Sequence, residues 1–415
     1  MALLLVIADD FTGALDTGVQ FVQCGARTLV CLNCSSSVLR SSDADVIVVN
    51  AETRHLDPRD AYDTVFSIVS FAKEQGIKYI YKKTDSALRG NIGAELSAVI
   101  EATGDKNLVF VPSFPSMNRV VRDGILYIDG TPVSESVFAE DPFEPVVRSS
   151  VSGIIALQTD LAVRRFAPGE VPSEKEKCIC LYDCSTQQQM DEIANTFAVS
   201  NLRLSAGCAG FASSLAKVLG FKGKADETNY HISEETLVIN GSINPVTSEQ
   251  IATARAEGIP VITLSPDQKT RPGWTEETEG QVFVSDVLEL VKETGSCVID
   301  AGNRSTMAET DKLAAKNGIS ADGLRQNVAS TTGRLAVQIM DAGYNGKIMC
   351  IGGDTLLALV KATGTETIRP LYELEDGVVL TKILYGGKDY TVVTKSGGFG
   401  GNALISNLCK SWRRI

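Results

Sequence analysis

Short, near-continuous apolar runs that alternate with helical or turn-rich segments constrain this chain more than any other feature. In its first half they cover residues 3–8, 28–32, 46–50, 77–81 and 107–111. Strands that are apolar on both faces, and that alternate with helices, belong to parallel sheets covered on both sides. The pattern is less clear through the acidic, proline-containing stretch 129–145. It recovers as strand-like runs at 153–157 and 177–183, and residues 201–220 read as a short strand followed by a helix. The polar, charged segment FKGKADETNYHISEE at 221–235 then reads as a domain boundary. A second series of strands follows at 236–240, 260–264, 296–301 and 347–351, with later pieces at 378–384 and 390–394. The amphipathic stretch 323–342 reads as a helix packed on that second sheet. A chain of 415 residues exceeds one ordinary core. The expected fold class is therefore α/β, with two domains, 1–225 and 236–415, each a mainly parallel sheet covered by helices.

Composition removes several function classes. The net charge of -12 argues against a general nucleic-acid or membrane-surface binder, since both partners demand broad positive patches. The start of the chain, MALLLVIADDFTG, lacks a basic segment and a small-residue cleavage site, so it reads as a buried strand rather than a signal peptide. No run approaches a membrane span, and a cytoplasmic location is expected. Several of the ten cysteines sit inside apolar strand-like runs, where cysteine acts as a small hydrophobe. Cys31 and Cys34 make a CxxC, but no second pair or nearby histidine pair completes a zinc site, and no protein-held metal is expected. With only His55 and His231 present, proton and charge work falls to carboxylates, lysines and arginines.

The densest chemistry lies in IKYIYKKTDSALRGNIGAELSAVI, residues 77–100. Lys82, Lys83, Asp85, Ser86 and Arg89 fall at the carboxyl end of an expected strand, ahead of a helix with Asn91 as its N-cap. In open α/β sheets that edge is where ligands bind, and such a cationic cluster suits a carboxylate or phosphate. A solvated charged loop is the plainer account. The first strand ends in Asp9 and Asp10 before a glycine and a helix; such a carboxylate serves as a base, as a Mg²⁺ ligand, or simply as a helix cap. Arg54, in the loop NAETRHLDP, suits a bidentate pair with a carboxylate, or an ordinary surface ion pair. Arg119 and Arg122, in VPSFPSMNRVVRDG, share that ambiguity in a turn-rich loop.

The second half carries glycine turns instead. Gly352, Gly353, Asp354 and Thr355 follow the strand at 347–351, and Lys395-Ser396-Gly397-Gly398-Phe399-Gly400-Gly401 follows that at 390–394. A third turn runs from Asn240 through Ser242 to Thr247. Such turns expose backbone donors and helix N-termini to phosphate, although glycines also end strands for steric reasons alone. None is a Walker A sequence, and no GxGxxG opens a helix after a strand.

Taken together, these segments resemble the four-carbon acid sugar kinase family, which phosphorylates threonate, erythronate or 3-oxo-tetronate with ATP. The matching pieces are IADDFTGALDTG at 7–18, TRHLDPRDAY at 53–62, KKTDSALRGNIGAEL at 82–96, VPSFPSMNR at 111–119, GGDT at 352–355 and VVTKSGGFG at 392–400. They follow the family order over most of the chain. One departure is Asn118, where the family usually has glycine before the arginine of FPxxGR; it bears on substrate identity. The resemblance implies an N-terminal acid-sugar-binding domain and a C-terminal ATP-binding domain. It implies that Arg54, Lys83 and Arg89 hold the substrate carboxylate and hydroxyls, with Thr84, Asp85 and Ser86 as hydrogen-bonding partners. Asp10 is the expected base, with Asp9 or Asp85 as runner-up; Asp9 and Asp10 both belong to the expected substrate site. Ser242, Gly352, Gly353, Asp354, Thr355, Gly397, Gly398 and Gly400 are expected to cradle ATP, with Mg²⁺ arriving on its phosphates.

Phosphoryl transfer asks mainly for positioning and charge neutralisation, and sites on two domains imply closure around the reactants. The expected partners are a small acid sugar and ATP, without nucleic acid or membrane, and homo-oligomer formation stays open. The alternatives are a non-catalytic sensor of an acid-sugar phosphate and a kinase for a different small hydroxy acid. A nicotinamide oxidoreductase is disfavoured by the missing dinucleotide fingerprint.

Overall fold

The computed structural model describes residues 2–40, 44–141, 144–173, 176–200, 202–224 and 235–410. Most of the expected boundary segment, with His231, lies outside them. The chain divides into two compact units, Met1–Ala225 and Asp226–Ile415. Among the described residues no helix is long and apolar enough to cross a membrane.

In the first unit the strands are β1 (Leu4–Ala8), β2 (Thr28–Cys31), β3 (Val46–Asn50), β4 (Tyr79–Lys83), β5 (Asn107–Val111), β6 (Arg119–Arg122), β7 (Ile125–Ile128), β8 (Thr131–Pro132), β9 (Val163–Phe166), β10 (Cys178–Tyr182) and β11 (Leu204–Gly207). The main sheet runs β2-β3-β1-β4-β11-β5-β10-β9, and every pairing in it is parallel. Leu4, Leu5, Val6 and Ile7 are fully buried. At about 1.5–3 kcal/mol for each large apolar side chain removed from water, such a strand is stable only in the middle of a covered sheet. The helices Phe11–Gln23 and Ala209–Val218 pack together, as do Pro58–Glu74 and Ile92–Thr103. Right-handed crossovers running in opposite directions from β1 put these two pairs on opposite faces. The chain goes out to β2, returns to β3, and crosses to β4 on the far side of β1. Strand order therefore reverses between β1 and β4, and in this class of sheet the crevice at their carboxyl ends takes the ligand.

Several local expectations are corrected. β4 runs two residues past the expected 77–81, taking Lys82 and Lys83 into the sheet opposite Ile7 and Ala8. A charge can occupy that central strand because Glu95 meets Lys82 in the core at 2.9 Å. Residues 153–157 do not form a strand: the helix Val151–Ile155 begins there, with Ser150 Oγ accepting from Gly153 N. Short apolar runs do not separate the two states by themselves. The loop expected around Arg119 and Arg122 is the hairpin β6–β7, continued to β8. Both its turns are Asp-Gly, at Asp123-Gly124 and Asp129-Gly130, with all four residues at positive φ, the tight-hairpin geometry that this dipeptide favours. Asn91 occupies the N-cap position of Ile92–Thr103 without capping it. Its amide donates instead to the carbonyls of Thr53 and Leu56, and Gln158 Oε1 accepts from Gly93 N at 2.9 Å in its place.

The second unit contains β12 (Thr236–Asn240), β13 (Val261–Thr263), β14 (Ser296–Asp300), β15 (Lys347–Ile351), β16 (Thr367–Glu375), β17 (Val378–Tyr385) and β18 (Lys388–Lys395). Their order is β13-β14-β12-β15-β18-β17-β16, parallel as far as β18 and antiparallel beyond it. β16 was not expected; its polar, proline-containing sequence hides a strand of the antiparallel end. The helix Ala321–Asp341 fits the expected amphipathic stretch, with Ser320 as its cap. Strand order again reverses beside the first strand of the unit, here at β12 between β14 and β15.

Candidate active site

At the β1/β4 crevice, the side chains named from the sequence come together. Asp10 caps the helix Phe11–Gln23, with Oδ1 accepting from Gly13 N at 3.0 Å. Arg54, on the loop after β3, reaches across: Nε donates to Asp9 Oδ2 at 2.8 Å, and Nη2 lies 2.8 Å from Asp10 Oδ1 and 3.7 Å from Asp85 Oδ1. Asp85 follows β4 and also accepts both Nε and Nη2 of Arg89, at 2.8 and 3.0 Å, and the backbone amides of Ala87 and Arg89. The loop thus folds around its own carboxylate, with buried Leu88 held at a φ of 62°, a conformation rare for a bulky residue. Arg89 Nη1 donates to Asp141 at 2.9 Å.

Burial alone raises a carboxyl's pKa, yet the cations prevail here. Asp9 is held below the usual carboxylate range by Arg54, Lys83 and Lys82 against its burial, and Asp85 well below it by Arg89, Arg54 and Lys83. The side chains of Asp9 and Asp85 are only 2% and 9% exposed, whereas that of Asp10 is 25% exposed. Of the three, Asp10 is the one an incoming molecule can reach.

Lys83 ends β4 and makes no hydrogen bond or ion pair through its ammonium among the described residues. A Cβ on Gly13 would lie 2.5 Å from Asp10 Oδ1 and 2.7 Å from Lys83 Nζ, so glycine is what lets carboxylate and ammonium close on the same point. Below them, Lys82 and Glu95 form a fully buried pair, Lys82 also donating to the Lys83 carbonyl at 2.6 Å. Thr53 donates to Glu95, whose carboxyl is pushed up by burial against the pull of Lys82. Thr84 is buried, with its hydroxyl unpartnered among the described residues. Ser86 Oγ receives Arg119, and the guanidinium groups of Arg119 and Arg89 sit over the Phe138 ring at 5.4 and 5.1 Å. Asn118 takes the left-handed conformation, φ 51°, that the family glycine would supply, and asparagine is among the few side chains that tolerate it.

The edge of the second sheet is built differently. Asn240, ending β12, donates to Asp300 Oδ1 at 2.8 Å and accepts from Ser242 N at 2.9 Å. Gly352 holds a φ of 100° at the start of the helix Gly353–Ala362, and its amide donates to the Lys395 carbonyl at 3.0 Å. Asp354 is paired with Arg325 at 2.9 Å, and Thr355 is buried against Gly241. A Cβ on Gly397 would come within 2.3 Å of Ser242 Oγ, so two of the turns touch only because one is glycine. Gln250 Nε2 donates to the carbonyls of Phe399, Gly400 and Gly401, each at 3.0 Å, and Thr247 donates to that of Gly397 at 2.7 Å. The loop's carbonyls are thereby pinned inward. The amides of Gly397, Gly398 and Gly400 form no hydrogen bond among the described residues, which leaves a nest of donors of the kind that takes phosphate.

Residues 4–215 match the family described as a sugar-binding N-terminal domain, and residues 237–405 that described as a nucleotide-binding C-terminal domain. The chain is 30% identical to the D-threonate kinase of Bordetella bronchiseptica, over 95% of this chain and 94% of that protein. The chain belongs to the four-carbon acid sugar kinase family. It is also 28% identical to the D-threonate kinase of Salmonella typhimurium, over 97% and 96% of the two chains. A solved Salmonella typhimurium structure, described as a putative tRNA synthase, superposes with a TM-score of 0.80 at 20% identity over 98% of each chain, and so shares the fold.

As a member of this family of phosphotransferases, the chain takes a small-molecule acceptor and a nucleotide. Three of its placements were missed from sequence. Arg119 reaches Ser86 on a hairpin whose sequence reads as loop. Phe138 lies in the stretch where the pattern faded. Lys395 was read only as a loop neighbour, although a lysine ending an apolar strand directly before a glycine run is a visible signal.

Proposed function

We propose that this kinase transfers the γ-phosphoryl group of ATP to a hydroxyl of a four-carbon acid sugar, a tetronate or 3-oxo-tetronate. Residues 1–225 hold the sugar and 236–415 the nucleotide. The observation that carries the reading is that a partly exposed, oriented carboxylate, Asp10, and the ammonium of Lys83, without a hydrogen bond or ion pair among the described residues, converge beside Gly13 at the crevice between β1 and β4. Lys83 takes the acid's carboxylate, with Thr84 and Ser86 as hydroxyl partners. Arg54 and Arg89 belong to the site by orienting Asp9, Asp10 and Asp85, since their donors already serve carboxylates.

In the step itself, the sugar hydroxyl oxygen bonds to the γ-phosphorus while the bond to the β–γ bridging oxygen breaks. The hydroxyl proton passes to Asp10, and the products are ADP and the phosphorylated acid. In the second unit Ser242, Gly352, Gly353, Asp354, Thr355, Gly397, Gly398 and Gly400 form the nucleotide site, with the loop amides facing the phosphates. Of the acidic side chains beside these turns, Asp300 is engaged by Asn240 and Asn303 and Asp354 by Arg325, so these residues fit Mg²⁺ carried on the nucleotide better than a resident ion. When bound, Mg²⁺ supplies charge neutralisation on the phosphates.

The test is ADP release by the full chain with Mg·ATP and a panel of D- and L-threonate, D- and L-erythronate and their 3-oxo relatives. Turnover with at least one acid is expected, since one hydroxyl's configuration decides which buried donors stay paired. Binding of an acid or its phosphate without turnover would establish the sensor reading instead.

A further inference from the structure

One buried ammonium shapes the glycine loop after β18 from beneath. Lys395 ends that strand opposite Ile351 of β15 and Val378 of β17, and is 1% exposed. Its ammonium donates to Thr247 Oγ1 at 3.2 Å, to the Ser396 carbonyl at 3.0 Å and to the Gly397 carbonyl at 3.2 Å. Its own carbonyl accepts from Gly352 N. Through these contacts it touches all three glycine turns. The groups facing it from the packed elements are Thr247 on the helix Pro245–Ala256, Ile351 and Val378, none of which titrates. No carboxylate comes within ion-pair distance of it among the described residues. A buried cation without a counter-charge is costly to hold, and burial pushes the Lys395 ammonium down to about 7.

We propose that Lys395 is a positioning residue whose missing counter-charge is the nucleotide's phosphates, so that nucleotide binding at the glycine turns draws one proton onto this side chain. The inference rests on the assignment of the nucleotide to this unit. Phosphates on the amide face of the loop bring negative charge close to a lysine that otherwise has none. The charged lysine in turn pulls the Ser396 and Gly397 carbonyls inward, which keeps the amides turned to the phosphates. The bound state then holds more protons than the free state, so affinity falls as pH rises above the free value. With a free value of about 7, and the bound lysine protonated throughout, the nucleotide dissociation constant should rise by up to about 16-fold between pH 7.0 and 8.5. Mg·ATP itself keeps a constant charge over that window.

Calorimetric titration of the full chain with Mg·ATP at pH 8.0, in two buffers of different ionisation enthalpy, reads the proton directly. The wild-type protein should take up close to one proton per nucleotide. Lys395→Met should lose the uptake and bind more weakly; Lys395→Arg, permanently charged, should bind without uptake and with little pH dependence. Buffer-independent heats in the wild type, with binding that Gly397→Val weakens, would overturn the proposal and leave the nucleotide assignment standing. Uptake that persists in both Lys395 variants would also overturn it, by placing the proton elsewhere, for example on buried Lys269. Nucleotide binding indifferent to Gly397→Val would remove the assignment and the proposal together. The wild-type arm does not depend on either variant folding.

Discussion

Replacing Asp10 by asparagine separates its chemical role from its structural ones. The side chain caps a helix through Gly13 N and pairs with Arg54. Asparagine keeps the oxygen that accepts from Gly13, and it caps helices about as well as aspartate, so the helix should lose no more than a few tenths of a kcal/mol. Arg54 loses the Asp10 Oδ2 acceptor that takes Nη1 at 3.0 Å but retains Asp9 at 2.8 Å and Asp85 at 3.7 Å, so most of its charge stays compensated. What asparagine cannot do is accept the proton of the attacking hydroxyl. General-base catalysis is worth roughly 10² to 10⁴ in rate. A loose phosphoryl transition state leans less on the base, which puts the expected loss in kcat near 10², about 2.7 kcal/mol of barrier. Steady-state ADP release reads kcat, and a thermal melt together with nucleotide titration shows that fold and nucleotide site persist. Near-normal kcat in Asp10→Asn, with loss of turnover in Asp9→Asn or Asp85→Asn, would refute the assignment of the base. Normal turnover in all three would reduce the carboxylates to caps and ion-pair partners.

Arg54→Ala should destabilise the protein by about 3–5 kcal/mol in urea denaturation, because it leaves Asp9 buried without its ion-pair partner, Asp85 keeping Arg89; a loss under 1 kcal/mol would show that the pairing is not what holds the loop. Lys83→Met should raise the KM for the acid sugar by at least tenfold with nucleotide affinity unchanged, the loss of one charge-assisted contact; equal weakening of both ligands would place Lys83 in the support of the fold. Stability should also be acid-sensitive in a defined direction. Asp9 and Asp85 have folded values below their unfolded ones, so the unfolded state binds more protons between the two. Their contribution is complete above the unfolded range near pH 4 and is lost as pH falls through the folded values, and a denaturation series from pH 7 to 3 that stays flat throughout would contradict it.

The alternation of apolar runs was enough to read a parallel α/β architecture, because burial on both faces leaves no polar positions in the strands. It also placed Asp9, Asp10, Lys83 and Asp85 at the ligand edge, since strand ends follow from where the runs stop. What it could not show is pairing across sequence. Arg54 lies more than forty residues from Asp9, and nothing local marks which guanidinium donors are already taken. The hairpin β6–β7 escapes a reading by apolar runs for a different reason: β6 is only Arg119–Arg122, too short and too charged to register as one. The Lys82–Glu95 pair shows a limit of pattern reading itself. A period-based reading ends a strand at a charge, and here the charge continues into the core because its partner is there.

Under the proposed assignment the two units would meet anionic ligands by different means, and the difference has consequences for what each tolerates. In the first, Asp9, Asp10, Asp85 and Asp141 stand among Arg54, Lys83, Arg89 and Arg119, so the cluster is close to neutral before any ligand arrives. Selectivity there should come from geometry rather than net attraction, because the field is already balanced, while the Lys83 ammonium makes no ion pair among the described residues. Loss of any one member leaves a like-charge excess, so substitutions should harm fold and function together, Lys83 and the partly exposed Asp10 excepted. In the second unit the donors are backbone amides, which only a proline substitution removes, and Lys395, the buried cation beneath the glycine loop, has no carboxylate within ion-pair distance among the described residues. Affinity there should follow the shape of the loop, so Gly397, whose Cβ would strike Ser242, is expected to be less replaceable than any charged residue of that unit. Ranking nucleotide affinity across Gly397→Ala, Asp354→Asn and Arg325→Ala decides it: a larger loss from either charge change than from the added methyl would show that the site binds by charge after all.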